Sequence, residues 1–122
     1  MSDETLQSQD FEGGDVIFDK GDAALCAYLI KDGQVDVFLE KDGLIEVVDT
    51  LQPGEIFGEM ALVDDKPRSA GALARVPTTC IMVSKPVLEH QIKASTPLMR
   101  AMVSLFVKRL RRSATEREAN IQ

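Results

Sequence analysis

Two Asp-Gly pairs, in Lys31-Asp-Gly33 and Lys41-Asp-Gly43, constrain this chain more than any other feature. Asp-Gly suits tight hairpin turns because such turns need positive φ, which glycine and aspartate tolerate best. The pairs frame Val35-Asp-Val-Phe-Leu39 and precede Ile45-Glu-Val-Val-Asp-Thr-Leu51, two runs rich in β-branched and apolar residues with partial alternation. Residues 11–84 therefore read as short antiparallel strands separated by glycine turns, the pattern of a roll, sandwich or small barrel. Thr78 to Ser84 reads as the last strand.

Beyond residue 84 the signals become helical. Pro86 fits the first turn of a helix, with Ser84 or Lys85 near its cap and its end near Ala94. Ser95-Thr-Pro97 repeats the start signal, with Thr96 as N-cap and Pro97 at the first helical position. The domain organisation expected is a polar segment over 1–10, a β-roll over 11–84, helices over 85–112, and a frayed tail over 113–122. In the last helix Leu98, Met99, Met102, Val103, Leu105, Phe106, Val107 and Leu110 are apolar around more than one stripe. A helix packed only on the roll needs one apolar face. The surplus implies a second contact, with a ligand, a second copy of the chain or a partner protein; one wide core face is the plainer alternative.

At 122 residues and 44% hydrophobic content, the chain is one domain with a real core. Met1 to Asp10 is polar and acidic, so no secretory signal is expected there, and no apolar run approaches a membrane span. The expectation is a soluble, cytoplasmic protein. Cys26 and Cys80 lie in strand-like apolar contexts and read as free core thiols. With His90 the sole histidine and no ligand spacing at the cysteines, neither a metal nor a cofactor is expected. Charge is uneven. Residues 1–65 carry 17 acidic and 3 basic side chains, a net −14, whereas residues 66–122 carry 3 and 11, a net +8. An acidic roll disfavours direct DNA binding. The cluster Lys108, Arg109, Arg111 and Arg112 reads as a solvated helix end that complements the helix dipole.

The stretch Phe57-Gly-Glu-Met-Ala-Leu-Val-Asp-Asp-Lys-Pro-Arg-Ser-Ala70 carries the chemistry. Arg68 offers a planar fork of donors that can hold anionic oxygens bidentately. Pro67 narrows the directions from which the chain enters Arg68. Gly58 allows main chain to approach a ligand closely. Residues Glu59 to Leu62 favour one helical turn whose free amides, those of Met60 and Ala61, point at an anion. Glu59 beside an anion makes sense if its carboxylate accepts from a ligand hydroxyl while Arg68 balances charge; a cap or an ion pair with Arg68 is the plainer alternative. These residues suit a small anion that also carries a hydroxyl. Asp64 and Asp65 read as solvated turn residues.

This stretch resembles the phosphate-binding cassette of the cyclic-nucleotide-binding domain family, which includes catabolite-activator-type regulators, cyclic-nucleotide-dependent kinases and gated channels. The resemblance extends from about Phe11 to Leu110. Phe11 to Phe18 with Lys20-Gly-Asp22 resembles the family's opening strands and turn, Ala27 to Val37 its next hairpin, and Leu51 to Gly58 the strand entering the cassette. It implies an antiparallel β-roll of the double-stranded jelly-roll type, with a short cassette helix and two C-terminal helices serving as hinge and lid. It also implies ligand contacts at Phe57, Gly58, Glu59, Met60, Ala61, Arg68, Ser69 and Ala70. Glu59 would hold the ribose hydroxyl; Arg68, Ser69 and backbone amides would hold the phosphate. Phe106 and Leu110, or Arg109 by stacking, would cover the base. The sequence departs from the family pattern in a reduced segment before Phe11, in Gly71 where a polar or β-branched residue is more usual, and in having no effector domain attached.

The function implied is a stand-alone regulatory module that binds cyclic AMP in preference to cyclic GMP and signals through its last helix. Its partner would be a separately encoded effector or a second copy joined through that helix. Ser69 admits either nucleotide; Arg-Ser-Ala in similar bacterial relatives goes with cyclic AMP. The alternative is a ligand-blind roll acting as a scaffold. A phosphodiesterase or a cupin-type metal enzyme is disfavoured, because both commonly need several histidine or acidic metal ligands and the chain has one histidine.

Overall fold

A computed structural model describes residues 6–121, with side chains for residues 6–113. Two four-stranded antiparallel sheets form the body. The first contains β1 (Gln7–Phe11), β3 (Ala27–Asp32), β6 (Ile56–Phe57) and β8 (Thr78–Val83) in the order β1-β8-β3-β6. The second contains β2 (Val16–Phe18), β4 (Val35–Lys41), β5 (Leu44–Leu51) and β7 (Gly71–Ala74) in the order β2-β7-β4-β5. Two helices follow, α1 (Lys85–Lys93) and α2 (Pro97–Ile121). This is the mainly β roll with C-terminal helices that the sequence predicts.

The two Asp-Gly signals have different fates. At Asp42-Gly43 both φ values are positive, 55° and 79°, and Lys41 pairs with Leu44, so β4 and β5 form the expected tight hairpin. Asp32-Gly33 instead carries the chain from one sheet to the other, so Ala27 to Val37 is not a hairpin. The crossing is pinned by Thr78, whose hydroxyl accepts from the Gln34 amide (3.2 Å) and lies 2.7 Å from the Val76 carbonyl. Both strands find their partners far along the chain, β3 in β8 and β4 in β7, and these pairings override the local turn preference.

The core lies between the sheets, where Phe11, Ile30, Val35, Phe57, Ala72, Ala74 and Cys80 are buried. Burying side chains the size of Ile30 or Val35 contributes about 1.5–3 kcal/mol each. Both cysteines are free thiols, Cys80 fully buried and Cys26 partly so.

Two boundaries differ from the sequence expectation. The roll begins at Gln7, inside the segment expected to be merely polar, because β1 runs in register from Gln7↔Met82 to Phe11↔Thr78. Only Phe11 of that strand is buried, so no alternation announces it. At the other end α2 continues through residues 113–121, where a frayed tail was expected. The predicted caps are present: Ser84 accepts from the Val87 amide and Thr96 from the Met99 amide, both at 3.3 Å. α2 packs against α1, and its Leu98, Met99, Met102, Leu105 and Phe106 are exposed. The surplus apolar surface is therefore not a wide core face.

Candidate functional site

β6 delivers the chain to Gly58, which adopts a left-handed conformation (φ 68°, ψ 22°) and opens a 3-10 turn over Glu59–Leu62. The single helical turn predicted from sequence is there. The Ala61 amide closes that turn onto the Gly58 carbonyl (3.2 Å) and is thus spent internally, contrary to the expectation that it stands free for an anion. A 3-10 turn satisfies one amide earlier than an α-helical turn does.

Arg68 returns to this turn from the far end of the cassette. Its backbone is held by the β2–β3 connection: its amide donates to the Asp22 carbonyl (2.9 Å) and its carbonyl accepts from the Gly21 amide (2.8 Å). Its side chain is only 7% exposed. One terminal guanidinium nitrogen donates to the Gly58 carbonyl (3.0 Å) and the other to the Cys26 carbonyl (2.5 Å). Nε is buried with no partner among the described residues. The guanidinium carbon lies 4.0 Å from the centre of the Phe18 ring and 5.9 Å from that of Tyr28. Among the described residues no ion pair joins Arg68 to Glu59.

A buried cation bonded only to neutral carbonyls and an aromatic face is a favourable seat for an anion. Gly58 is required here twice over. A side chain at φ 68° is strained, and a Cβ would lie 2.5 Å from an Arg68 terminal nitrogen.

Beside Arg68 opens a cavity of about 730 Å³, within the range of small-molecule sites. Phe57, Gly58, Glu59, Met60 and Ala61 line it from one side of the cassette, and Arg68, Ser69 and Ala70 from the other. Every cassette residue named from the sequence is therefore brought to one place. Phe106, Arg109 and Leu110 are not: none of them lines the cavity, and Phe106 is 53% exposed.

Sequence reasoning missed several wall residues. Phe18, Val37, Val48, Asp49 and Leu51 also line the cavity. Val37, Asp49 and Leu51 share a face because Val37 pairs with Asp49 and Val35 with Leu51. Alternation in β5 is broken by an irregularity next to Val37, which hid this face. Gly71, the unusual residue after the cassette, is buried under Phe38, whose ring occupies the space a side chain would need. The glycine thus fits the start of β7 tightly, not loosely.

Burial, then a hydrogen bond with the Cys26 side chain, pushes the Tyr28 phenol up to about 12. Burial pushes the Cys80 thiol to about 11. Both stay protonated at neutral pH, so neither places a negative charge beside Arg68. The cassette also touches the helices. The 3-10 turn contacts α1, and Lys85 at the start of α1 bonds Asp65 of the cassette loop (2.9 Å), holding its carboxyl below the ordinary range. Among the described residues no cluster suited to a metal ion occurs and no helix is long and apolar enough to cross a membrane.

A model of the Cyclic nucleotide-binding domain family matches residues 8–95. The chain belongs to that family. It is 35% identical over 80 residues to a cGMP-dependent protein kinase of Plasmodium berghei, covering 66% of this chain and 9% of the kinase. It is 38% identical over 72 residues to a cAMP-dependent protein kinase regulatory subunit of Emericella nidulans, covering 59% of this chain and 17% of that subunit. It thus spans a small part of the length of these relatives. Among solved structures it is similar to the EAL enzyme Bd1971 in a halfsite-occupied form, at TM-score 0.84 and 36% identity, covering 89% of this chain and 98% of that one. That enzyme is also described in cAMP-bound and cGMP-bound forms.

Proposed function

We propose that this chain is a regulatory module that binds a cyclic nucleotide in the cassette cavity, cyclic AMP in preference to cyclic GMP. One observation carries the reading: a buried Arg68 guanidinium bonded only to neutral carbonyls, its Nε without a partner among the described residues, at the wall of a cavity lined by both ends of the cassette. A phosphodiester is the complementary group, since it brings one negative charge and oxygens able to accept two donors. Glu59 would accept from the ribose hydroxyl across the same cavity. The binding of both cAMP and cGMP by the similar EAL enzyme supports the ligand class. Ser69, directly after Arg68, would decide how well guanine is tolerated.

Signalling would run through the helices. The 3-10 turn and Asp65 touch α1, so a ligand that shifts the cassette shifts α1 and, past Thr96, α2. α2 stands off the cavity, so Phe106, Arg109 and Leu110 would act as a lid only after α2 swings. Any protein that prefers the closed form must tighten nucleotide binding by the same factor. The exposed Leu98, Met99, Met102, Leu105 and Phe106 favour a partner at α2, a separately encoded effector or a second copy. The work of the chain in this reading is regulatory and not catalytic.

The test is calorimetric titration of nucleotide-stripped protein with cyclic AMP and then cyclic GMP. One-to-one binding with a Kd of about 1 μM or tighter, roughly 8 kcal/mol, and tighter for cyclic AMP, supports the reading. No heat from either nucleotide, with an unchanged melting temperature at high ligand, favours the scaffold reading.

A further inference from the structure

The Arg68 guanidinium is nine-tenths buried, yet its two hydrogen-bonded nitrogens meet only carbonyl oxygens. A desolvated cation without a carboxylate needs another source of negative potential, and the face of an aromatic ring supplies one. Phe18 stands in that position, with the guanidinium carbon 4.0 Å from its ring centre. The ring itself packs against a stacked aromatic pair. Tyr28 and Phe57 each lie 6.0 Å from it, tilted by 37°, and they stack on one another at 5.1 Å and 13°. Three strands thus build one aromatic wedge. Phe18 also ends β2, and the loop that follows it holds the Arg68 backbone through Gly21 and Asp22. One short stretch of chain therefore fixes both ends of the same residue. Phe18 lines the cavity as well, on the same wall system as Arg68.

We propose that Phe18 is a positioning residue for Arg68: its ring fixes the guanidinium so that the terminal nitrogens keep their bonds to the Gly58 and Cys26 carbonyls and their remaining N–H donors serve an anionic ligand. This rests on the nucleotide reading above and adds to it a residue outside the cassette on which binding of the phosphodiester depends. An aliphatic residue in its place would fill much of the space and supply no ring face. A tyrosine would keep the face.

The variants are Phe18→Leu and Phe18→Tyr, with Phe18→Met as a second aliphatic replacement should the leucine variant fold poorly. Two quantities are read: the Kd for cyclic AMP by calorimetry, and the NMR shift of the Arg68 Nε–H proton, assigned by its loss in Arg68→Lys. Expected is an Nε–H resonance displaced by the ring in the parent and in Phe18→Tyr, and returned to the ordinary arginine position in the aliphatic variants. Cyclic AMP binding should weaken about tenfold in the aliphatic variants and less than about twofold in Phe18→Tyr. A purely structural role would weaken binding without moving the Nε–H signal, and that result overturns the proposal. So does unchanged affinity in a folded aliphatic variant. If the parent binds no cyclic nucleotide, the nucleotide reading falls by itself; the Nε–H comparison still decides whether Phe18 orients Arg68.

Discussion

Gly58→Ala separates two reasons for one glycine, and its magnitude follows from the geometry. The first reason is the backbone: φ is 68°, where an L side chain is destabilised by about 1–2 kcal/mol. The second is space: the added Cβ would stand 2.5 Å from an Arg68 terminal nitrogen and 3.4 Å from the Phe18 ring. Arg68 is buried and cannot retreat to water without breaking its bonds to the Gly58 and Cys26 carbonyls. Hydrogen bonds from a charged donor contribute about 1.5–3 kcal/mol each, so partial loss of one or both adds about 2 kcal/mol. The whole change should destabilise the fold by about 3–4 kcal/mol. The assay is urea unfolding of Gly58→Ala alone and in an Arg68→Met background. A methionine ends short of the clash and carries no donors, so there the alanine should cost only the backbone part, about 1–2 kcal/mol. The double-mutant cycle should therefore show a coupling of about 2 kcal/mol. Equal destabilisation in both backgrounds would refute the argument that Arg68 dictates glycine at this position.

Two further outcomes follow from the site. Ser69→Ala should weaken cyclic GMP binding more than cyclic AMP binding in parallel titrations, because only the guanine amino group needs the hydroxyl; equal losses would remove Ser69 as a base discriminator. Alkaline pH should destabilise the fold. The Cys80 thiol rises from its ordinary 9.0 to about 11 and the Tyr28 phenol from 10.0 to about 12, both chiefly through burial. Their protonated forms stabilise the fold fully below about pH 9, and that contribution is lost as pH rises through 11 and 12. The urea midpoint should fall from pH 9 upward, and Cys80→Ala should flatten the earlier part of the decline.

What was legible in the sequence was local. The cassette is contiguous, its glycine, helical turn and proline-guided arginine each act within a few residues, and the structure brings all of them to one cavity. The helix caps at Ser84 and Thr96 were legible for the same reason. What depended on distant partners was hidden. Asp32-Gly33 and Asp42-Gly43 look alike, and only pairing with β7 and β8 makes the first a sheet crossing. β1 is polar except for Phe11 and pairs along its length with β8. Phe18 and Cys26 lie 50 and 42 residues from Arg68, and no short-range pattern links them to it. The apolar surplus of α2 was visible, but its place was not: it is exposed, and the lid residues named from sequence do not line the cavity.

The most direct measurement is titration of cyclic AMP into the parent protein and into Arg68→Ala, at equal salt and with bound nucleotide removed from both. The account predicts saturable one-to-one binding by the parent and an affinity loss of roughly 3–5 kcal/mol in the variant, because the phosphodiester would be left desolvated and unpaired. A folded Arg68→Ala that binds within a few-fold of the parent would show that the phosphate does not sit at Arg68, and the central claim would fall.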